Sequence, residues 1–125
     1  MDYTGTKLFK IEHSLLGWEA EIQIDFDYFE TMGNIKEMVD YWSGSKERLK
    51  QAHGDYVQAF LKQFAPMLFR MSTETGDVMD IINEFKDWNT EGFCDMDGSH
   101  GIKIISVDCW QAEEDEFDIS VIQYY

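Results

Sequence analysis

Basic residues are scarce in this chain: ten lysines and arginines face 25 aspartates and glutamates, for a formal net charge of -15. Binding to DNA, RNA or an anionic membrane surface needs a basic patch to neutralise phosphates, and the sequence has none. Direct nucleic-acid binding and membrane binding are therefore not expected. Cysteine is almost lacking, with Cys94 and Cys109 only. Two are too few for a disulfide framework, and buried reduced thiols are the expectation. No apolar run approaches the roughly 20 residues that span a bilayer. Residues 1–10 also lack the basic and apolar blocks of a signal peptide, so a cytoplasmic setting is expected. Proline occurs once, as Pro66.

What is abundant points to a folded chain. Hydrophobic residues make up 44% and aromatics 15%, far above what an acidic disordered chain carries. At 125 residues the chain fits one domain spanning 1–125.

The most apolar stretch is 55–71. Tyr56, Val57, Phe60, Leu61, Phe64, Met67, Leu68 and Met71 recur at helical spacing on one broad face, with Gln58, Lys62, Gln63 and Arg70 largely on the other. It reads as the central core helix. Residues 46–53 are polar and basic, and Gly54-Asp55 reads as a weak point within one long helix. Pro66 removes the amide donor to the Lys62 carbonyl and predicts a bend.

The remaining segments follow from periodicity. Residues 6–14 and 18–26 alternate as strands, the second with Trp18, Ala20, Ile22, Ile24 and Phe26 on one side and an acidic opposite face. Asp27 is positioned to cap a helix to Trp42 with Phe29, Met32, Ile35, Met38, Val39 and Trp42 on its apolar face. Asp77 caps a further helix to Trp88. Residues 102–107 read as a central strand buried on both faces, and 117–124 as a final strand pairing with it. The methionines, Met79 among them, read mainly as core filler. The predicted fold is α+β: a four-stranded antiparallel sheet with about three helices packed on one face, in the order ββαααββ.

Charge is concentrated late in the chain. Residues 1–70 hold 11 acids and 8 bases, a net of -3; residues 71–125 hold 14 acids against Lys86 and Lys103, a net of -12. Asp77, Asp80, Glu84 and Asp87 lie at steps of three, four and three along the predicted helix, and Glu113, Glu114, Asp115, Glu116 and Asp118 follow. A solvated, solubilising face is the plain explanation. The sharper one is a surface that imitates a phosphate track and attracts a protein partner with a basic surface.

One loop gathers reactive groups: Cys94, Asp95, Asp97, Ser99 and His100. Asp95 and Asp97 are spaced like the first ligands of a calcium loop, but the glycine comes too early and no twelfth-position Glu follows. Cys94 and His100 have no second pair at zinc-ligand spacing. A tight turn around Asp97, Gly98 and Ser99 is the leading expectation, and no metal or other cofactor is expected. A small ligand-binding or enzymatic domain using Asp95, Asp97, Ser99 and His100 is the alternative function. A structural, self-associating homodimer is the third.

Trp42-Ser43-Gly44 with Glu47-Arg48, then Gly54-Asp55, then Met96-Asp97-Gly98-Ser99-His100-Gly101-Ile102 resemble a domain-of-unknown-function family of small bacterial and phage proteins. The resemblance covers roughly residues 8–108. It implies no catalytic residues; it implies a bacterial cytoplasmic setting or mobile DNA, where small acidic proteins inhibit nucleic-acid enzymes. The expectation that follows is a small acidic protein-binding module acting as an inhibitor or regulator, with no enzyme activity favoured.

Overall fold

In the computed structural model, residues 3–86, 90–109 and 118–121 are described. Two strands come first, β1 (Thr6–Glu12) and β2 (Glu19–Asp25). Four helices follow: α1 (Thr31–Tyr41), α2 (Ser45–Gln51), α3 (Tyr56–Ser72) and α4 (Val78–Phe85). The strand β3 (Ile102–Val107) comes last. All pairings are antiparallel, in the spatial order β1-β2-β3.

The sheet has three strands among the described residues, and this overturns the four-stranded expectation with three helices. β2, rather than β3, is central: it pairs with β1 from Glu12↔Glu19 to Thr6↔Asp25 and with β3 from Ala20↔Val107 to Ile24↔Ile102. Trp18, Ala20, Ile22 and Ile24 are buried along one side, as their alternation predicts. β3 is one-sided, with Ile102 and Ile104 buried while Lys103 and Ile105 are exposed. The edge of β3 where a hairpin partner was expected is taken by residues just before it. Gly98 N donates to the Ile102 carbonyl at 2.9 Å and Ile104 N to the Met96 carbonyl at 3.1 Å. Residues 118–121 form no strand, with Ile119 95% and Val121 66% exposed; the rest of the expected final strand lies outside the described residues.

α1 starts later than its sequence suggests. The Asp27 carboxylate accepts from Gly5 N at 3.1 Å instead of capping the helix. The helix begins at Thr31, whose buried hydroxyl donates to the Asp25 carbonyl at 2.6 Å. Phe29 therefore lies before the helix and is 83% exposed rather than inward. Ile35, Met38 and Val39 do face the core.

The stretch 46–71 is two helices rather than one. Gly54 N donates to the Leu49 carbonyl and His53 N to the Lys50 carbonyl, the paired bonds of a Schellman closure, with His53 (φ 55°) and Gly54 (φ 81°) left-handed. Asp55 then caps α3, its Oδ1 accepting from Val57 N at 2.9 Å and Gln58 N at 3.2 Å. The Tyr3 hydroxyl donates to the other oxygen, and burial, followed by that carboxylate, pushes the Tyr3 phenol up to about 12. Pro66 lies inside α3.

One hydrophobic cluster joins the sheet to α1, α3 and α4. Its centre is aromatic: Phe64 of α3 lies 5.2 Å from Phe60, 5.5 Å from Phe85 of α4 and 5.6 Å from Phe93 between ring centroids. Trp18 is the polar joint, its indole N–H shared between Ser72 Oγ at 3.1 Å and the Asp108 carbonyl at 3.0 Å.

Candidate functional site

α4 exists because Asp77 caps it, accepting from Met79 N at 2.8 Å, and because Ile81, Ile82 and Phe85 bury one face. That burial turns Asp80 and Glu84 outward, and both are exposed. They are one helical turn apart, a rise of about 6 Å. Thr75 Oγ1 donates to Asp80 Oδ2 at 3.1 Å, and Thr90 Oγ1 donates to the Glu84 carbonyl at 2.7 Å, which ties the end of the helix to the next segment. Of the predicted acidic stripe, Asp77 is thus partly engaged in capping, while Asp80 and Glu84 form its outward charge. Asp87 and residues Glu113, Glu114, Asp115 and Glu116 lie outside the described residues; Asp118 is exposed. Met79, read as core filler, is 59% exposed on this helix. The signal was in the pattern, since Met79 falls off the Val78, Ile81, Ile82, Phe85 stripe.

The 94–101 loop is built as a turn. Asp97 Oδ1 accepts from Ser99 N at 3.0 Å and from the Ser99 hydroxyl at 2.6 Å, and these bonds hold the Asp97 carboxyl below the usual carboxylate range. Ser99 Oγ also lies 3.0 Å from His100 Nδ1. The hydroxyl is therefore between the carboxylate and the imidazole, whereas an activated serine needs the imidazole in the middle. With its proton directed at Asp97, Ser99 can only accept from the ring, so this arrangement makes no nucleophile. The His100 carbonyl accepts from Asn34 Nδ2 at 3.3 Å, which docks the loop on α1. Asp95 is half-buried beside this turn. Among the described residues no three His, Cys, Asp or Glu side chains come together as a metal site would require.

Cys94 does not join His100 as a nucleophile. It is fully buried, and burial first, then the nearby Asp95 carboxylate, pushes its thiol up to about 12. A thiolate is the reactive form, so Cys94 is inert in the folded chain. Cys109 is exposed. A disulfide reagent added to native protein is expected to titrate one thiol rapidly and the second only in denaturant. Equal rates for both without denaturant would show that Cys94 is open to solvent.

A second constellation was not visible along the chain. Gln63, Met67 and Arg70, at steps of four and three along one flank of α3, meet Trp42, Arg48 and Phe93 around a cavity. The spacing was legible; its convergence with two other segments was not.

The described elements from β2 onward fall within a single family match: a model described as "Protein of unknown function (DUF2528)" covers residues 19–119. The chain belongs to this family. The resemblance to a domain-of-unknown-function family of small phage and bacterial proteins therefore holds. The chain is 34% identical over 98 residues to "Protein ea10" of Escherichia phage lambda, and equally to "Lambda prophage-derived protein ea10" of Escherichia coli O6:H1. Each alignment covers 73% of this chain and 78% of the relative. No solved structure matches. The DUF2528 match takes in α4, the 94–101 loop and every side chain around the cavity. No helix among the described residues is long and apolar enough to cross a membrane.

Proposed function

We propose that this chain is a small acidic protein-binding module that engages a basic surface on a partner which itself binds nucleic acid. The observation that carries this reading is the exposed pair Asp80 and Glu84 on α4, in a chain whose net charge is -15 and whose last 55 residues hold most of it. Neither carboxylate forms an ion pair among the described residues. Their separation along the helix is of the same order as that of successive phosphates on one strand, so a phosphate-binding surface presents complementary charge. Met79 adds an exposed apolar group on the same helix, the kind of contact that lowers the off-rate once charge has brought two surfaces together. The lambda relatives support a setting on mobile DNA, where a regulator of a host or phage nucleic-acid enzyme would act.

The test is capture from an Escherichia coli lysate on immobilised full-length chain, followed by association kinetics with the retained protein. Capture is expected at low salt, with release by added salt or by competing duplex DNA. Asp80→Lys with Glu84→Lys is expected to slow association about tenfold or more at low salt. Folding stability should fall by no more than about 1 to 2 kcal/mol, the loss coming from Asp80, which accepts from Thr75 Oγ1 in the first turn of α4. Retention of the same proteins at the same rate by the doubly reversed chain would sink the proposal.

A further inference from the structure

Trp42, Arg48, Gln63, Met67, Arg70 and Phe93 line an open cleft of about 390 Å³, a volume within the range of small-molecule sites. Its chemistry runs against that of the chain as a whole. α2 carries Lys46, Arg48 and Lys50 against Glu47 alone. Arg48 donates to the Ser43 carbonyl at 2.9 Å and to the Val39 carbonyl at 3.4 Å, both neutral acceptors. Arg70 donates to the Met67 sulfur at 2.8 Å. Neither guanidinium pairs with a carboxylate among the described residues, although the chain holds 25 acids.

Two of the lining residues carry unmatched polar atoms. Gln63 Oε1 is buried and has no hydrogen-bond partner, while the Nε2 of the same amide donates to the Met38 carbonyl at 3.2 Å. That bond fixes the amide, because reversing it would set oxygen against oxygen. The Trp42 indole N–H is likewise buried without an acceptor. Gly92 packs against this ring so closely that an added Cβ would lie 2.8 Å from Nε1, and the indole is held in place. Both atoms are shielded from the cleft itself, so the groups that face a ligand are the two guanidiniums and the apolar side chains.

We propose that this cleft binds a small organic anion: a carboxylate or phosphate on a flat apolar body. The anionic group sits between Arg48 and Arg70, whose planar donors match carboxylate and phosphate alike. The ring packs against Trp42, Phe93 and Met67. This site is separate from the acidic face of α4 and stands whether or not that face binds a protein.

The experiment titrates full-length chain with 4-hydroxybenzoate, 4-hydroxyphenyl phosphate and, as an uncharged control, 4-hydroxybenzyl alcohol. The readout is the indole N–H resonance of Trp42, assigned with Trp42→Phe. Saturable displacement by either anion, with the alcohol at least tenfold weaker, is expected, and the tighter anion identifies which acid the site takes. Arg70→Gln keeps a helix-forming residue and is expected to weaken the anion at least tenfold. Arg48→Gln should do the same; because Arg48 also holds the end of α1, Arg70→Gln decides. No saturable shift with either anion at millimolar concentration, equal binding of the alcohol, or wild-type affinity in folded Arg70→Gln would overturn the proposal.

Discussion

Replacing Phe64 with alanine is expected to destabilise the fold by about 3 to 5 kcal/mol, the usual range for truncating a fully buried phenylalanine. Phe64 has no exposed surface and is the ring through which Phe60, Phe85 and Phe93 meet. Its loss removes the transfer energy of the ring and leaves a hole that three neighbours on different segments cannot all close at once. A chain of 125 residues has a total stability of about 6 to 19 kcal/mol on the usual per-residue scale, so the change consumes a large share. The urea midpoint should fall with little change in slope. Phe64→Leu, which keeps most of the volume, should lose clearly less. A loss under about 1 kcal/mol for the alanine variant would mean that α4 and Phe93 are held by other contacts. Because α4 carries Asp80 and Glu84 and Phe93 lines the cavity, both candidate sites depend on this ring for position.

The parts of the fold that could be read from the chain are those fixed by short-range pattern. The alternation of Trp18, Ala20, Ile22 and Ile24 marked the buried side of β2, and the stripe from Val57 to Leu68 marked α3 as core helix. Asp77 was legible as a cap, because capping is decided within three residues, whereas Asp27, read the same way, bonds Gly5 N instead and the cap at Asp55 was read only as a weak point. Failures came where a distant segment decides. The apolar run at Ile102 to Ile105 reads as a strand buried on both faces, but Ile105 is exposed, with no segment among the described residues covering the outer face of β3. The alternation after residue 117 has strand character, yet residues 118–121 do not join the sheet, whose β3 edge residues 96–98 already partly occupy. His53 closes α2 in a left-handed conformation that few residues other than glycine adopt, so the break between the helices was visible only as a weak point. The cavity draws on positions from Trp42 to Phe93 and no local period joins them. The acidic stripe was legible in sequence, but which of its members point outward depended on where α4 begins.

Gly101 shows the same limit at one residue, and Gly101→Ala is expected to cost about 2 to 5 kcal/mol. In sequence it is one more glycine in a turn-rich loop. In the fold its backbone has φ 90°, and an added Cβ would lie 1.9 Å from Thr31 Oγ1 and 3.0 Å from Thr31 Cβ. Thr31 cannot step aside cheaply: it is fully buried, it opens α1, and its hydroxyl is bonded to the Asp25 carbonyl. The Gly101 carbonyl in turn accepts from Asp25 N at 2.8 Å, so the end of β2, the start of α1 and the approach to β3 converge on this residue. Overpacking at such a point costs about 1 to 3 kcal/mol, and a left-handed alanine about 1 to 2 more. Gly98→Ala separates the two contributions. Gly98 is also left-handed, at φ 97°, but an added Cβ would meet only the Lys103 side chain at 3.8 Å. It should therefore show the conformational cost of about 1 to 2 kcal/mol and no more. Thermal unfolding of the two variants is the measurement, with the midpoint of Gly101→Ala expected to fall by on the order of 10 °C and well below that of Gly98→Ala. Equal midpoints would mean that the contact with Thr31 relaxes freely, and that the junction of β2, α1 and β3 is softer than its hydrogen bonds imply.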